Sequence, residues 1–158
     1  MTIEAFQKKT GNPIFTGWYA DPEARIFAGQ YWVYPTYSAP YKEQTYFDAF
    51  YSNDLVHWTK AERILEMKDI SWARLAMWAP SPIERNGKYY YYFAANDIQS
   101  NEEYGGIGVA VADRPEGPFR DAIGNQISGI DTGFWLNVDD HSIFVANRHN
   151  VNPSMFAE

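Results

Sequence analysis

Residues 83–94 read Ile83-Glu84-Arg85-Asn86-Gly87-Lys88-Tyr89-Tyr90-Tyr91-Tyr92-Phe93-Ala94. Asn86-Gly87 is the strongest hairpin signal in the chain. A two-residue turn between twisted strands needs positive φ at both positions, and Asn and Gly tolerate it. The aromatic run that follows favours a pleated, extended backbone. Residues 26–37 repeat the layout as Ile-Phe-Ala-Gly-Gln-Tyr-Trp-Val-Tyr-Pro-Thr-Tyr, with Gly29-Gln30 read as the turn between two apolar runs. Residues 45–52 and 107–112 read as further strands. Only residues 60–67 carry a helical spacing, enough for one or two turns.

The segments also resemble one another. Gly29-Gln30-Tyr31-Trp32 aligns with Gly87-Lys88-Tyr89-Tyr90 at an offset of 58. Tyr51-Ser52-Asn53-Asp54 with Trp58 aligns with Val111-Ala112-Asp113-Arg114 with Phe119 at an offset of 60 or 61. A third copy begins at Asp139-Asp140-His141-Ser142-Ile143-Phe144. Units of about four antiparallel strands at this spacing predict propeller blades. Chance likeness among strand–turn–strand segments is the alternative. The expected fold class is all-β, with about two and a half blades in 158 residues. Propellers close with about four to eight blades, and an open stack leaves edges and apolar faces in water. Residues 1–158 are therefore expected to form a single partial propeller domain, or one that self-associates through its exposed blade faces.

Composition removes several function classes. Net charge is −7 and the pI is near 4.9, so phosphate backbones and anionic membranes are repelled. No cysteine is present, which excludes disulfides, zinc–thiolate sites and cysteine nucleophiles. No stretch approaches the roughly 20 apolar residues of a membrane span. Residues 1–9 lack an apolar core of signal-peptide length, so a cytoplasmic protein is expected.

Chemistry concentrates in Asn12-Pro13-Ile14-Phe15-Thr16-Gly17-Trp18-Tyr19-Ala20-Asp21-Pro22-Glu23. Pro22 holds Asp21 extended at the mouth of a strand, beside two aromatics. Aromatic faces stack on sugar rings, and a fixed carboxylate can activate a water. Capping of a turn is the other reading of Asp21, and the residues alone leave both open.

Six motifs in order then resemble family 43 glycoside hydrolases, five-bladed propellers that cleave xylosides and arabinosides. They are Gly17-Trp18-Tyr19-Ala20-Asp21-Pro22-Glu23, Tyr31-Trp32-Val33-Tyr34-Pro35-Thr36-Tyr37-Ser38, Ser52-Asn53-Asp54-Leu55-Val56-His57-Trp58, Met77-Trp78-Ala79-Pro80-Ser81-Pro82, Asn86-Gly87-Lys88-Tyr89-Tyr90, and Gly108-Val109-Ala110-Val111-Ala112-Asp113-Arg114-Pro115 with Gly117-Pro118-Phe119. The match covers roughly residues 10–122, and residues 125–158 diverge from it. The resemblance implies that Asp21 is the general base of an inverting hydrolysis. It implies that Asp131, in Ile130-Asp131-Thr132-Gly133-Phe134, orients the substrate and tunes the acid; an ordinary Asx turn is the alternative there.

The family's general acid lies in a Glu-Gly-Pro context of the fourth blade. Glu116-Gly117-Pro118 has the letters but falls in a second-blade turn, so it is rejected as the acid. Weak or no activity is therefore expected of the isolated chain. The substrate implied is a xylo- or arabino-oligosaccharide of plant polysaccharide, with Trp18, Tyr19 and Trp78 lining its pocket. Tyr19 and Trp78 also read as residues that simply pack the core.

No cofactor is required, although the resemblance allows calcium. Asp139 and Asp140 lack an EF-hand pattern, and His57, His141 and His149 lack metal-ligand spacing. His57 reads as structural, and Asn96-Asp97 as a strand-end turn. The rival reading of the whole chain is a non-catalytic sugar-binding or self-assembling propeller remnant.

Overall fold

The computed structural model describes residues 12–96, 105–129, 132–136 and 143–147. Its first sheet is a four-stranded antiparallel meander of β1 (Tyr19–Phe27), β2 (Gln30–Tyr37), β3 (Tyr46–Ser52) and β4 (Thr59–Glu66). The second runs through β5 (Met77–Arg85), β6 (Lys88–Ala95), β7 (Gly106–Ala112) and β8 (Arg120–Asp121). A short β9 (Ser128–Gly129) pairs with the start of β7. β10 (Thr132–Leu136) and β11 (Ile143–Asn147) form a separate antiparallel hairpin. The chain is all-β, and each four-stranded meander is a propeller blade. β1 and β5 are the first strands of their sheets and sheet edges, and they pack alongside each other.

Both leading hairpins use two-residue turns with positive φ. In blade 2 these are Asn86 (55°) and Gly87 (74°), as the sequence predicts. In blade 1 they are Ala28 (49°) and Gly29 (78°), while Gln30 already pairs with Phe27. The turn is therefore Ala28-Gly29 and not Gly29-Gln30. Glycine closes the turn in both blades, which moves the expected frame by one residue.

The helical expectation for residues 60–67 is overturned, since Thr59–Glu66 is strand β4. The reason is a bulge. Ala61 pairs with Ala49 and Leu65 with Phe47, so β4 carries two extra residues opposite Asp48. Arg63 sits there at φ 49° and donates its N–H to Asp48 Oδ1 at 2.8 Å. The bulge resets the pleat, and the apolar spacing Ala61, Ile64, Leu65 then imitates a helix.

The two blades stack through aromatic side chains. Phe27 meets Tyr89 at 5.1 Å, Tyr34 meets Tyr91 at 5.7 Å, and Phe47 meets Tyr91 at 5.1 Å between ring centroids, all edge to face. Trp32, Tyr34, Phe47, Tyr91, Phe93 and Phe119 are buried. Each such ring contributes about 1.5–3 kcal/mol by leaving water. Edge-to-face geometry adds about 0.5–1.5 kcal/mol per pair.

Polar ties fix the register between blades. Tyr34 donates its hydroxyl to the Pro115 carbonyl at 3.0 Å, Arg25 Nε donates to the Pro82 carbonyl at 3.1 Å, and Phe119 N–H donates to the Ile64 carbonyl at 2.8 Å. Burial pushes the Tyr34 phenol well up, which keeps it a neutral donor. Tyr91, its buried neighbour, has no partner for its hydroxyl among the described residues.

Candidate active site

Blade 1 carries a bulge near the start of its first strand, β1. Ala20 pairs with Thr36 and Glu23 with Tyr34, so Asp21 and Pro22 together oppose the single residue Pro35. Pro22 and Pro35 both lack an N–H, so the break in the ladder strands no donor at either proline. Asp21 takes φ 46° and not the extended backbone expected before Pro22, because the bulge turns the chain there; Asp adopts this conformation more readily than most residues, and the residue is exposed. Blade 2 repeats the feature. Trp78 pairs with Ala94 and Ser81 with Tyr92, and Ala79 takes φ 47° before Pro80.

The two bulges are joined by one hydroxyl. Thr36, buried in β2, donates through Oγ1 to Asp21 Oδ2 at 3.2 Å. Ala79 donates its N–H to the same Oγ1 at 2.8 Å. A hydroxyl holds one proton, and the amide can only donate. The chain therefore has one polarity, from amide to hydroxyl to carboxylate. Asp21 Oδ1 has no hydrogen-bond partner among the described residues.

The neighbouring aromatics divide their work. Trp18 is 81% exposed, and its carbonyl accepts from Ser38 N–H at 3.0 Å. Gly17 takes φ 126°, and a Cβ there would stand 2.5 Å from the Tyr19 ring, so only glycine permits this turn. Tyr19 is half-buried among Phe15, Tyr37 and Phe50 at 5.3–6.2 Å. Trp78 is half-buried beside Ala79, and its indole N–H has no partner among the described residues.

Beneath Tyr19 lies an ion pair. Lys60 Nζ is 2.8 Å from Oδ2 of Asp48, a carboxylate with 1% of its surface exposed. Burial pushes the Tyr19 phenol up, and the adjacent Lys60 charge partly opposes it. Burial also disfavours the Lys60 charge, but the hydrogen bond and charge of Asp48 outweigh it and hold Lys60 above its ordinary value. Aromatic layer and ion pair together fix the strand end that presents Asp21.

Of the residues expected from sequence, Trp18, Tyr19 and Asp21 share the opening of β1, and the Thr36–Ala79 link joins them to the segment holding Trp78. Asp131, Asp139, Asp140, His141 and His149 lie outside the described residues, as does Asp97. His57 is structural. Asp54 Oδ1 accepts N–H bonds from Val56 and His57, and Oδ2 pairs with His57 Nδ1 at 2.7 Å. Asn96 is buried, and its Oδ1 accepts from the Arg74 and Leu75 amides, so it ties the inter-blade linker.

Among the described residues no three His, Asp or Glu side chains gather where they could hold a metal. An open cavity of about 470 Å³ lies elsewhere, lined by residues that include Met67, Ile70 and Arg74. Sequence reasoning missed Thr36 and the Asp48–Lys60 pair. Pro35-Thr36-Tyr37 is one of the quoted motifs, but nothing local says where the hydroxyl points.

Known proteins resemble this chain in sequence and fold. The chain is 48% identical over 131 residues to the β-D-galactofuranosidase xynD of Aspergillus niger, covering 75% of this chain and 37% of that one. It is 34% identical over 122 residues to xylosidase/arabinosidase 43A of Humicola insolens, of which it covers 36%. Among solved structures, it superimposes on a β-xylosidase/α-arabinofuranosidase from a compost microbial metagenome, in complex with xylotriose. There the TM-score is 0.70, with 30% identity and coverage of 87% of this chain and 44% of that one. A Xanthomonas citri enzyme complexed with xylotriose gives a TM-score of 0.71 at 30% identity, with 84% and 40% covered. The chain thus spans under half the length of these relatives. A family model described as glycosyl hydrolases family 43 matches residues 10–154, and the chain belongs to that family.

Proposed function

We propose that this chain carries the general-base side of an inverting glycosidase site, with Asp21 as the base. The observation that supports the reading is the carboxylate itself. It stands on a bulge at a strand mouth, with one oxygen held by Thr36 and the other open. In the reaction, Oδ1 takes a proton from water as the water oxygen bonds to the anomeric carbon. The glycosidic C–O bond breaks, and its oxygen takes a proton from a carboxylic acid on the opposite face of the sugar. Asp131 is assigned, from its sequence context alone, to orient the substrate. The acid is not among the residues to which we give a role.

The substrate class is a terminal arabinofuranosyl or xylosyl unit. The names of the relatives also bring a galactofuranosyl unit into the set to be tested. Trp18 is the stacking platform, because it offers an uncovered indole face next to Asp21. Its exposure also favours a second reading, a sugar-binding module without turnover.

The test is release of nitrophenol from aryl α-L-arabinofuranoside, β-D-xyloside and β-D-galactofuranoside. Asp21→Asn should abolish whichever activity is found, and full activity in that variant would sink the assignment. Trp18→Ala should raise KM about 2- to 10-fold with kcat little changed. Binding of xylotriose by a chain that turns over none of the three glycosides supports the second reading.

A further inference from the structure

We propose that Thr36 is a positioning residue for the Asp21 carboxylate, and that the neighbouring blade sets its direction through the Ala79 amide. This rests on the reading of Asp21 as the base.

A carboxylate on an exposed bulge has rotational freedom about two side-chain bonds. A base must instead hold one oxygen toward the attacking water, since small misplacements in a near-attack geometry are expensive in rate. Thr36 supplies the constraint. It is 2% exposed, so its hydroxyl does not trade partners with bulk water. The Ala79 amide takes one of its acceptor sites at 2.8 Å, and the hydroxyl proton then has Asp21 Oδ2 as its acceptor at 3.2 Å. A threonine that could rotate would donate or accept in turn. This one can only donate to the carboxylate, because an amide never accepts. Oδ1 has no hydrogen-bond partner among the described residues, and it is the oxygen that the reading assigns to the water. The constraint reaches Asp21 from blade 2, so the two blades must be docked for the base to be aimed.

A packing role for Thr36 predicts the opposite pattern of substitutions. Thr36→Val keeps the shape and removes the hydroxyl, while Thr36→Ser keeps the hydroxyl and removes a methyl. Two measurements decide. The first is the crystal structure of each variant, read at the Asp21 carboxylate. The expected result is a displaced or split carboxylate in Thr36→Val and the original position in Thr36→Ser. The second is turnover of the aryl glycoside that the chain hydrolyses best. Here Thr36→Val should lower kcat about 10- to 100-fold with KM within about twofold, and Thr36→Ser should restore most of it.

An unmoved carboxylate in Thr36→Val, or equal loss of kcat in both variants, overturns the proposal. Thr36→Val leaves the Ala79 amide without an acceptor, so thermal unfolding is followed alongside. Thr36→Ala serves as the second hydroxyl-free variant should valine prevent folding. A wild-type chain without turnover would overturn the catalytic reading, while the crystal structures would still decide whether Thr36 places Asp21.

Discussion

Blade 1 and blade 2 build the same bulge and fill it differently. Asp21-Pro22 opposes Pro35 in one, and Ala79-Pro80 opposes Phe93 in the other, with φ of 46° and 47° at the first residue. The backbone is copied and the carboxylate is not. In blade 2 a methyl group occupies the position, and the amide beneath it holds Thr36. The repeat therefore supplies a scaffold position, and a single side chain distinguishes the two blades there. Under the proposed reading of Asp21 as the base, the other blade contributes aim.

The sharpest way to break that comparison is to make blade 1 match blade 2. Asp21→Ala should fold, because Ala79 already holds alanine in this conformation. Any glycosidase turnover should fall about 10²- to 10⁴-fold, the usual worth of a general base. A folded variant with unchanged kcat would show that the two bulges are equivalent in function as well as in shape.

The blade interface offers a second contrast. Tyr34 and Tyr91 are both buried and touch across the interface, yet among the described residues only Tyr34 has a partner for its hydroxyl. Tyr34→Phe should lower unfolding stability by about 1 kcal/mol. Tyr91→Phe should be neutral or stabilising by up to about 1 kcal/mol, since it removes an unpaired buried hydroxyl. Denaturant midpoints for the two variants give the sign of each, and a loss of stability in Tyr91→Phe would mean that its hydroxyl is solvated in the native state.

The leading hairpins differ by one residue. Ala28 and Asn86 hold equivalent positive-φ positions, and alanine suits that conformation less well. Ala28→Asn should raise stability by under about 1 kcal/mol. No gain would mean that the blade 1 turn is held by its strands and not by its own preference.

The smallest expected effect separates two carboxylates at the outer turns. In blade 1 the His57 amide, then the His57 ring and the Val56 amide, hold Asp54 well below the ordinary carboxylate range. In blade 2 Lys88 lowers Asp113 through a hydrogen bond and its charge. Both groups are more acidic folded than unfolded. Their stabilisation is therefore present above the unfolded value of 3.8 and is lost as pH falls through the folded values. Melting curves below about pH 4 should fall less steeply in Asp54→Asn and Asp113→Asn than in the parent. Molar salt should erase the Asp113 effect first, because that ion pair is exposed and screened.

These contrasts mark what could be read before the structure. The Asn86-Gly87 turn, the offset of 58 and the strand character of the tyrosine run are local signals, and the fold follows them. The frame at Gly29 and the phase of β4 went astray for one shared reason. A positive-φ residue without a glycine, Ala28 in one case and Arg63 in the other, leaves no mark in the letters. Trp18, Tyr19 and Asp21 could be singled out as a group because they are adjacent in sequence. Thr36 could not, since its meaning depends on an amide 43 residues away and on the docking of two blades. The Asp48–Lys60 pair was hidden likewise, because a buried carboxylate looks the same in sequence as one in a solvated turn.

The prolines of the two bulges carry a consequence for assembly. β1 and β5 are edge strands of their sheets, and an open edge invites another extended chain to add to it. Pro22 and Pro80 offer no amide, and the left-handed residue before each turns the backbone away from a regular ladder. An incoming strand therefore finds its pairing interrupted beside Asp21 and again beside Ala79. The bulges that hold Asp21 and Ala79 thus also break the regular pairing that an added strand would need to spread from one molecule to the next.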